Sequence, residues 1–428
     1  MAEAVRRLLD QLQLEPLAAG ERIDGGAEEE LFRRVGQQAA REALVSRWEQ
    51  ADPETGPECG GCRQRMKRLG KRSKQLRTLC GEMVIERRVY YCSSCQQTEA
   101  PLDRQLGLEH SGLTPGLARV VCRTALELAY QQSQHLLTDT LGFAPCSARE
   151  VERIAKRHGA LLEEGQTEGS GQEPKVKRTG SKPRAQYCLA IDGVMIPGLP
   201  DSDTHCVNWH EVKLATGFVP RQLQPPFYVA GREEAEGFGK RLWGQLERHG
   251  LDERSFLEML GDGAHWIWNL ADAYFPGVPQ LLDFYHAAEH LHATAQAVWP
   301  EPATAHQWWQ QQLEQLRSGQ ESNFFAALQW LAKRHSTQDP GVSPQRLLKY
   351  FEDNRERLNY RWALQHHLPI GSGQVESAAR HIVQQRLKQS GMRWSDPGAQ
   401  AVLNLRTLHR NGEFEQYWEN RALASASR

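Results

Sequence analysis

Three carboxylates, far apart in the chain, occur where metal-dependent chemistry is possible. Asp192 is predicted to end the apolar strand in "AQYCLAIDGVMI", and Asp262 to end the strand in "SFLEMLGDGAHW". Glu376 lies in the first turn of a predicted helix that follows "LPIGSG". Carboxylates are ligands that Mg²⁺ and Mn²⁺ prefer, and two such ions about 4 Å apart stabilise the attacking and leaving oxygens of a phosphoryl displacement. An acid in a first helical turn is also favoured by the helix dipole, so Glu376 alone does not identify a metal site.

Two pairs of cysteines have the spacing of metal-binding knuckles. Cys59 and Cys62 form one C-x2-C pair, Cys92 and Cys95 form the other, and 29 residues separate the pairs. The intervening "QLRTLCGEMVIERRVYY" predicts two strands about a turn at residues 81–82. Four thiolates on two knuckles joined by a hairpin are typical of a zinc ribbon, a closed tetrahedral site. The pairs therefore predict one structural Zn²⁺, with redox pairs or chance spacing as the alternatives.

Basic residues are concentrated between the knuckles. Ten Lys or Arg occur there against Glu82 and Glu86. Such a density favours contact with the phosphate backbone of DNA. A basic face that is merely solvated is the alternative.

A second basic element follows the ribbon. "PCSAREVERIAKRHGALL" predicts a helix that starts at a capping box formed by Ser147 and Glu150. Upstream, "SQHLLTDTLGF" predicts a short helix ending near Gly142. This order is that of a helix-turn-helix, whose second helix would enter the major groove of double-stranded DNA. An inert surface helix is the alternative; the candidate DNA-binding residues are Arg149, Arg153, Lys156 and Arg157.

The elements that must position the acids follow a segment rich in Gly, Ser and Pro. The predicted order is three strands, a helix, a strand, a short helix and a strand, with Asp192 and Asp262 at the ends of the first and fourth strands. This α/β order is typical of the ribonuclease H-like fold, in which those two strand ends lie side by side. A later helix that packs across the sheet would bring Glu376 to them.

The predicted architecture is multidomain α/β, because 428 residues exceed one compact core. A zinc ribbon and a helix-turn-helix region precede a ribonuclease H-like catalytic domain with a helical insertion. The predicted segments are an N-terminal helical region (1–55), the ribbon (56–98), the helix-turn-helix region (99–162), a linker (163–185), the first part of the catalytic domain (186–286), the insertion (287–367), and the final catalytic helices with the C-terminal tail (368–428).

Composition indicates the class of protein and the cellular compartment. Hydrophobic residues make up 39% and charged residues 25% of the chain, as in ordinary globular proteins. The net charge of −1 argues neither for nor against binding to nucleic acid. No apolar run is long enough to cross a membrane, and the N-terminus lacks the apolar core of a secretory signal. Nine clustered cysteines argue against a disulfide framework, so we expect a reducing cytoplasm and no membrane partner.

From Cys59 to about Arg406 the motifs, in their order, resemble the DDE transposases of bacterial insertion sequences. The resemblance is to the Mutator-like group, nearest the Kra-type insertion sequences. The motifs that carry it are the cysteine pairs, "AIDGV", "LGDGAHWIW", "LLDFYHAAEHL", "PIGSGQVES" and "SGMRWS". The resemblance implies that Asp192, Asp262 and Glu376 are the catalytic acids, and that the family's D-x-x-H signature falls on Asp283 and His286.

The resemblance also implies the activity and the partners. We expect binding to the terminal inverted repeats of a mobile element and to target DNA, as a homodimer or higher oligomer near the nucleoid. Two Mg²⁺ or Mn²⁺ ions per site are expected, with Asp192 contacting both and Asp262 and Glu376 one each. Water would cut a phosphodiester, and the freed 3′-OH would attack target DNA. His286 would support this chemistry.

Two other functions compete with this interpretation. "HAAEH", from His286 to His290, fits the H-x-x-E-H signature of a zinc peptidase, with Glu289 as the base. That signature is short and leaves the cysteine pairs, Asp192 and Asp262 without roles. The second alternative is a transposase-derived DNA-binding protein that no longer cuts DNA.

Overall fold

The computed structural model describes residues 24–108, 112–167, 187–222, 225–251 and 255–427. The fold is mixed α/β and divides into two compact units, one of residues 1–157 with 413–428 and one of residues 158–412. The predicted linker (163–185) lies mostly outside the described residues, as do the first 23 residues. No helix in the described ranges is long and apolar enough to span a membrane.

The first unit combines six helices of the described chain with one small sheet. The strands are β1 (Lys67–Thr78), β2 (Gly81–Cys92) and β3 (Gln97–Glu99), antiparallel in the order β1-β2-β3. The helices are α1 (Gly25–Gln50), α2 (Pro101–Gln105), α3 (Pro115–Ala125), α4 (Tyr130–Leu141), α16 (Phe414–Ser427) and α5 (Ala148–Thr167), which begins in this unit and whose residues from 158 onward belong to the second.

The β1–β2 hairpin turns earlier than the sequence predicts. Thr78 pairs with Gly81, so the turn is formed by residues 79–80, and the prediction of a turn at residues 81–82 is wrong. The reason is local: Gly81 has a φ of +117°, which suits the residue leaving the turn, and the Thr78 hydroxyl closes the turn by accepting from the Cys80 amide at 3.0 Å. Apolar side chains of the hairpin, Leu76 and Ile85, are fully buried beneath it.

The helix pair α4–α5 has the predicted local chemistry. α4 ends at Gly142, whose φ of +73° is a left-handed C-cap. The Ser147 Oγ accepts from the Glu150 amide at 3.3 Å, and the Glu150 carboxylate accepts from the Ser147 amide at 3.0 Å. This reciprocal capping box fixes where α5 begins. Arg77 of β1 donates to the Glu150 carboxylate at 2.8 Å, so the hairpin and the start of α5 are tied together.

The second unit is built on a five-stranded sheet. The strands are β4 (Tyr187–Pro200), β5 (Val207–Phe218), β6 (Phe227–Gly231), β7 (Phe256–Gly261) and β8 (Gln280–Leu282). Their order across the sheet is β6-β5-β4-β7-β8. β4, β5 and β6 pair antiparallel, whereas β7 and β8 join parallel to β4. The central strand β4 therefore carries an antiparallel partner on one side and a parallel partner on the other.

Helices cover this sheet and extend from it. α6 (Ala235–Arg248) buries Phe238, Leu242 and Leu246, as its 3.6-residue apolar period predicts. α15 (Asp396–Arg410) is buried from residue 398 to 408, including its polar side chains. The remaining helices are α7 (His265–Tyr274), α8 (Phe284–Val298), α9 (Pro302–Ser318), α10 (Glu321–Arg334), α11 (Pro344–Asp353), α12 (Tyr360–Gln365), α13 (Gly373–Ala378) and α14 (Gln385–Leu387).

A buried carboxyl lies inside the sheet, away from the candidate site. Glu258 of β7 is fully buried, and its Oε1 accepts from the Cys188 thiol of β4 at 3.4 Å. Its Oε2 has no hydrogen-bond partner among the described residues. Burial raises the pKa of Glu258 to about 8, so the folded state holds this group protonated at neutral pH.

We expect Glu258→Gln to flatten the dependence of stability on pH. The folded pKa lies above the usual 4.5, so between about pH 4.5 and 8 only the unfolded chain has released this proton. Stability from this group is complete at low pH and falls as pH rises, by up to about 1.4 kcal/mol per pH unit. Urea unfolding at about pH 5 and about pH 9 measures it. The variant should lose less stability at the higher pH than the wild type, whereas Glu247→Gln, an exposed change on α6, should behave as the wild type.

Candidate active site and metal centre

Two of the three candidate acids, and a third acid, Asp283, lie where three neighbouring strands stop pairing in parallel. In the register of the sheet, Ile191 of β4 pairs with Gly261 of β7, and Gly261 pairs with Leu282 of β8. The next residue on each strand is an acid: Asp192, Asp262 and Asp283. Neighbouring residues in one register row lie close together. The sheet thus brings three acids to one edge of the parallel pairing.

One sequence expectation at this edge is wrong. β4 does not end at Asp192 but continues to Pro200, because β5 pairs with it from Phe218 to Val207 without interruption at the acid. Only the parallel partner β7 stops there. Asp192 therefore lies in the middle of a long strand, beside the end of its neighbour, and is only half-buried.

Asp192 lies near two other carboxylates, those of Asp262 and Asp283, whose negative charges repel its own. Burial and the Asp262 carboxylate raise the pKa of Asp192 to about 6, and the Asp283 carboxylate adds to the rise. The Gly193 amide, which donates to Asp192 at 2.7 Å, and His286 oppose it. A cation placed among these oxygens would remove the repulsion. His286 and Asp283 thus belong to the same electrostatic group as Asp192 and Asp262.

Asp283 joins the strand ends to the segment that leads to Glu376. It is buried, and its Oδ1 accepts from the amides of Tyr285 and His286, which caps α8. Its Oδ2 accepts from the Ser372 amide at 2.6 Å. The Phe284 amide also donates to the Ile370 carbonyl at 2.9 Å. Asp283 is therefore a positioning residue, because it fixes the turn from which the Glu376 helix begins.

Glu376 itself lies on α13, which packs against β4 and β5, and its side chain is exposed. Asp192, Asp262 and Glu376 are spaced more widely than a single-ion site, since among the described residues only the cysteines form a group of ligand atoms all within 4.8 Å of one another. Wider spacing is compatible with two ions, each held by part of the set.

The helix after Glu376 is not the continuous α-helix that its sequence predicts. α13 ends at Ala378, a π-helical segment spans Ala379–Gln384, and α14 follows. Buried Arg406 of α15 donates to the Ile382 carbonyl at 2.7 Å and to the His381 carbonyl. These bonds tie the π-helical segment to α15. Arg386 is fully buried with its guanidinium over Trp394.

The helical insertion supports Asp262 in a way that sequence reasoning missed. The Tyr350 hydroxyl of α11 donates to the Asp262 carbonyl at 2.9 Å, and buried Asn354 accepts from Trp268 at 2.9 Å. Gly263 has a φ of +103°, and a Cβ there would lie 2.8 Å from the Tyr350 ring. The turn after Asp262 therefore requires glycine. Tyr350 lies 88 positions after Asp262, so no local signal in the sequence could have predicted this contact.

The histidines of the H-x-x-E-H signature pair with each other. The Nε2 atoms of His286 and His290 are 3.2 Å apart. The pKa of His290 is lowered, mainly because the ring is buried and secondly because His286 lies beside it. Glu289 is 81% exposed, 4.0 Å from His286. Within the described ranges no third ligand joins the two histidines. The arrangement lacks the ligand count of a catalytic zinc site, which requires three protein ligands.

The four predicted zinc ligands do come together. The sulfur atoms of Cys59, Cys62, Cys92 and Cys95 all lie within 4.8 Å of one another, and the Cys62–Cys92 separation is 3.5 Å. With a Zn–S bond of about 2.3 Å, tetrahedral sulfurs lie about 3.8 Å apart. The cluster therefore fits a four-thiolate metal site, packed against Met66 and Tyr90.

Backbone amides prepare this cluster for thiolates. Amides of Cys62 and Gly61 lower the pKa of Cys59 to about 6. The neighbouring Cys62 and Cys59 sulfurs raise the pKa of Cys95 to about 12, since a second thiolate beside the first is unfavourable without a cation. A bound metal ion would hold all four sulfurs as thiolates.

The basic residues between the knuckles fall into two groups. Four are in ion pairs with acids of the same unit: Lys74, Arg77, Arg87 and Arg88. The other six are exposed and have no ion-pair partner in the described part of the chain: Arg63, Arg65, Lys67, Arg68, Lys71 and Arg72. They follow the first knuckle and run along β1, an edge strand. This cationic edge is the candidate surface for a phosphate backbone.

Some of the basic side chains on α5 form ion pairs with acids of the same helix, which the sequence analysis did not predict. Lys156 pairs with Glu152 at 2.6 Å, and Arg153 lies 3.6 Å from Glu150. Arg149 is exposed. Arg157 is half-buried. Acids on the same helix therefore neutralise part of the predicted DNA-binding face.

Comparison with known proteins gives the family. The family described as "Uncharacterised protein family (UPF0236)" matches residues 27–421, so the chain belongs to it. The curated proteins give no match. Among solved structures, this chain is similar to a protein chain of the structure titled "Drosophila P element transposase strand transfer complex". The two sequences are 11% identical, and the match covers 74% of this chain and 84% of that chain. The TM-score is 0.25, too low to define a shared fold. The Mutator-like and Kra-type assignment stays a prediction.

Proposed function

We propose that the protein is a DNA transposase that cleaves phosphodiesters with divalent metal ions and joins the ends to target DNA. The observation that carries this proposal is the register row Ile191–Gly261–Leu282, which sets Asp192, Asp262 and Asp283 side by side. The strand order β6-β5-β4-β7-β8, in which only β5 runs antiparallel to the other four strands, supports a ribonuclease H-like catalytic domain. The segment tied to Asp283 leads to Glu376, the third acid of the proposed set.

The donor set fits hard divalent cations. Asp192 would be shared by two Mg²⁺ or Mn²⁺ ions, with Asp262 and Glu376 each completing one. The raised pKa of Asp192 supports this fit, because the repulsion that raises it is relieved by bound positive charge. When bound, such ions supply activation of a water or 3′-OH and stabilisation of the leaving oxygen.

The residues of the chain organise the reaction around those ligands. Tyr350 fixes the backbone at Asp262, and Asp283 fixes the start of the Glu376 segment. The attacking oxygen, from water or from a 3′-OH, forms a bond to phosphorus as the bond to the 3′-oxygen breaks, and that oxygen leaves with a proton. His286, which interacts with Asp192, is suited to orient the attacking group or accept its proton.

The first unit supplies the proposed DNA contacts. The cationic edge of β1 would bind phosphates, and each phosphate neutralised would make binding weaker at higher salt. The α4–α5 pair is the proposed groove-reading element, with Arg149 as its least encumbered cation. The cysteine cluster would hold a structural Zn²⁺ that keeps the β1 edge in shape.

His286→Ala and Glu289→Gln separate this function from a zinc peptidase. For a transposase, His286→Ala should lower Mg²⁺-dependent nicking about tenfold or more, whereas Glu289→Gln, whose carboxylate is 81% exposed, should have little effect. The assay uses labelled duplexes from the DNA that flanks the gene, with casein as the second substrate. Chelator-sensitive casein cleavage that Glu289→Gln abolishes would contradict the proposal. DNA binding without any nicking by the wild type would favour the non-cutting alternative.

A further inference from the structure

A cavity of about 770 Å³ lies in the second unit beside the segment that leads to Glu376. Its volume is in the range of small-molecule sites, about 300–1,000 Å³. One wall comes from Phe218 at the end of β5, from residues 219–222 and from Pro226. The other comes from Tyr285 and from residues 367–374, which run into α13. In the chain the lining thus reaches the residue before His286 and ends two residues before Glu376.

The exposed aromatic ring of this cavity is seated by a glycine. Tyr285 is 55% exposed, and its amide is held by Asp283 at 2.7 Å. A Cβ on Gly371 would lie 2.3 Å from the Tyr285 ring, so the ring packs directly on the backbone there. A large aromatic side chain is therefore fixed at the cavity although much of its surface is open to solvent.

Two unusual backbone positions contribute polar groups. Arg221 and His367 both have a φ of +60° and both line the cavity. Residues other than glycine adopt this conformation rarely, and at some cost in energy. Both side chains are exposed, and neither has an ion-pair partner among the residues that the structure describes. The remaining lining is mostly apolar, from Val219, Pro220, Pro226, Leu368, Pro369 and Ile370.

We propose that this cavity receives an unpaired nucleotide of the DNA strand bound at the acids. This inference rests on the proposed function. A planar base matches the flat Tyr285 ring and the apolar wall, and stacking of this kind accepts any base. The Arg221 guanidinium matches the phosphate of the same nucleotide. The apolar wall and the single open cation suit a nucleotide better than duplex DNA, whose bases are already stacked.

Two DNA probes test the proposal. One is a short blunt duplex, and the other is the same duplex with a few unpaired thymidines at one 3′ end. We expect the wild type to bind the extended duplex more tightly and Tyr285→Ala to reduce that preference about tenfold, while Tyr285→Phe keeps it. Arg221→Gln should also reduce the preference and its dependence on salt. Fluorescence anisotropy measures the affinity of each of these four proteins for both duplexes.

The matched control is Trp330→Ala. Trp330 is 44% exposed on α10, and Arg334 lies over its ring, so it is another exposed aromatic beside a cation. Its loss should leave the preference unchanged. A preference that survives Tyr285→Ala, or that disappears with Trp330→Ala, would overturn the cavity assignment. Mg²⁺-dependent nicking by a wild type that binds both duplexes equally would refute this inference alone, whereas a wild type that neither binds nor nicks DNA would refute the proposed function as well.

Discussion

Asp192→Asn is expected to abolish metal-dependent nicking while DNA binding persists. Asparagine keeps the size of the side chain and its acceptor for the Gly193 amide, but it removes the negative charge that two cations would share. Loss of groups that only orient metal ligands costs about 10–100-fold in comparable sites, so loss of the shared ligand should exceed about 100-fold. Asp262→Asn and Glu376→Gln should behave alike. Nicking rate and duplex affinity are measured on the same preparations.

The control for these variants is Asp203→Asn. Asp203 is exposed in the connection between β4 and β5, on the same strand pair as Asp192. It should nick DNA at the wild-type rate. If any one of the three acid variants also nicked at that rate, the set of catalytic acids would be wrong. The Glu376→Gln variant tests the set most severely, because Glu376 is the exposed member and lies on a helix, outside the sheet register that places Asp192 and Asp262.

The parts of this site that the sequence predicts are those set by local spacing. Cysteines three residues apart on two knuckles meet because the hairpin between them has matched strands, Lys67–Thr78 and Gly81–Cys92. Asp262 follows an apolar run that ends at Gly261, and β7 ends there. The Ser147–Glu150 capping box starts a helix because its two bonds are local. In each case the deciding interaction lies within a few residues, or within one hairpin.

The rest depends on contacts between distant segments. β4 runs past Asp192 because β5 continues to pair with it, and no residue near Asp192 signals that length. The helix after Glu376 widens into a π segment, and two of its carbonyls accept from Arg406, more than twenty residues later. Arg386 is buried because Trp394 provides a ring for its guanidinium.

Asp283 illustrates how a motif can be noticed and its role missed. The sequence resemblance implies a D-x-x-H signature but not what the aspartate does. In the structure its carboxylate accepts from three amides, those of Tyr285, His286 and Ser372. Through these three bonds the carboxylate holds together the start of α8 and the turn before Glu376. The signature thus couples the end of β8, the start of α8 and the turn before Glu376.

Replacing two of the four cysteines is expected to remove the metal ion and, with it, to disorder the β1 edge. Cys59 and Cys92 are the most buried of the four and come from opposite knuckles, so Cys59→Ala with Cys92→Ala breaks both halves of the site. Structural Zn²⁺ contributes about 10–16 kcal/mol in small zinc-binding domains, far more than the packing of Met66 and Tyr90 supplies. We expect zinc content to fall from one ion per chain to none.

DNA binding should weaken in the same double variant. The six unpaired cations from Arg63 to Arg72 begin immediately after the first knuckle, and their spacing depends on that knuckle and on β1. Cys206→Ser is the control, because Cys206 is exposed and far from the cluster in the chain. It should keep both the metal and the affinity. Zinc content that is unchanged in the double variant would rule out this site, whereas lost zinc with unchanged duplex affinity would move the DNA contact away from the β1 edge.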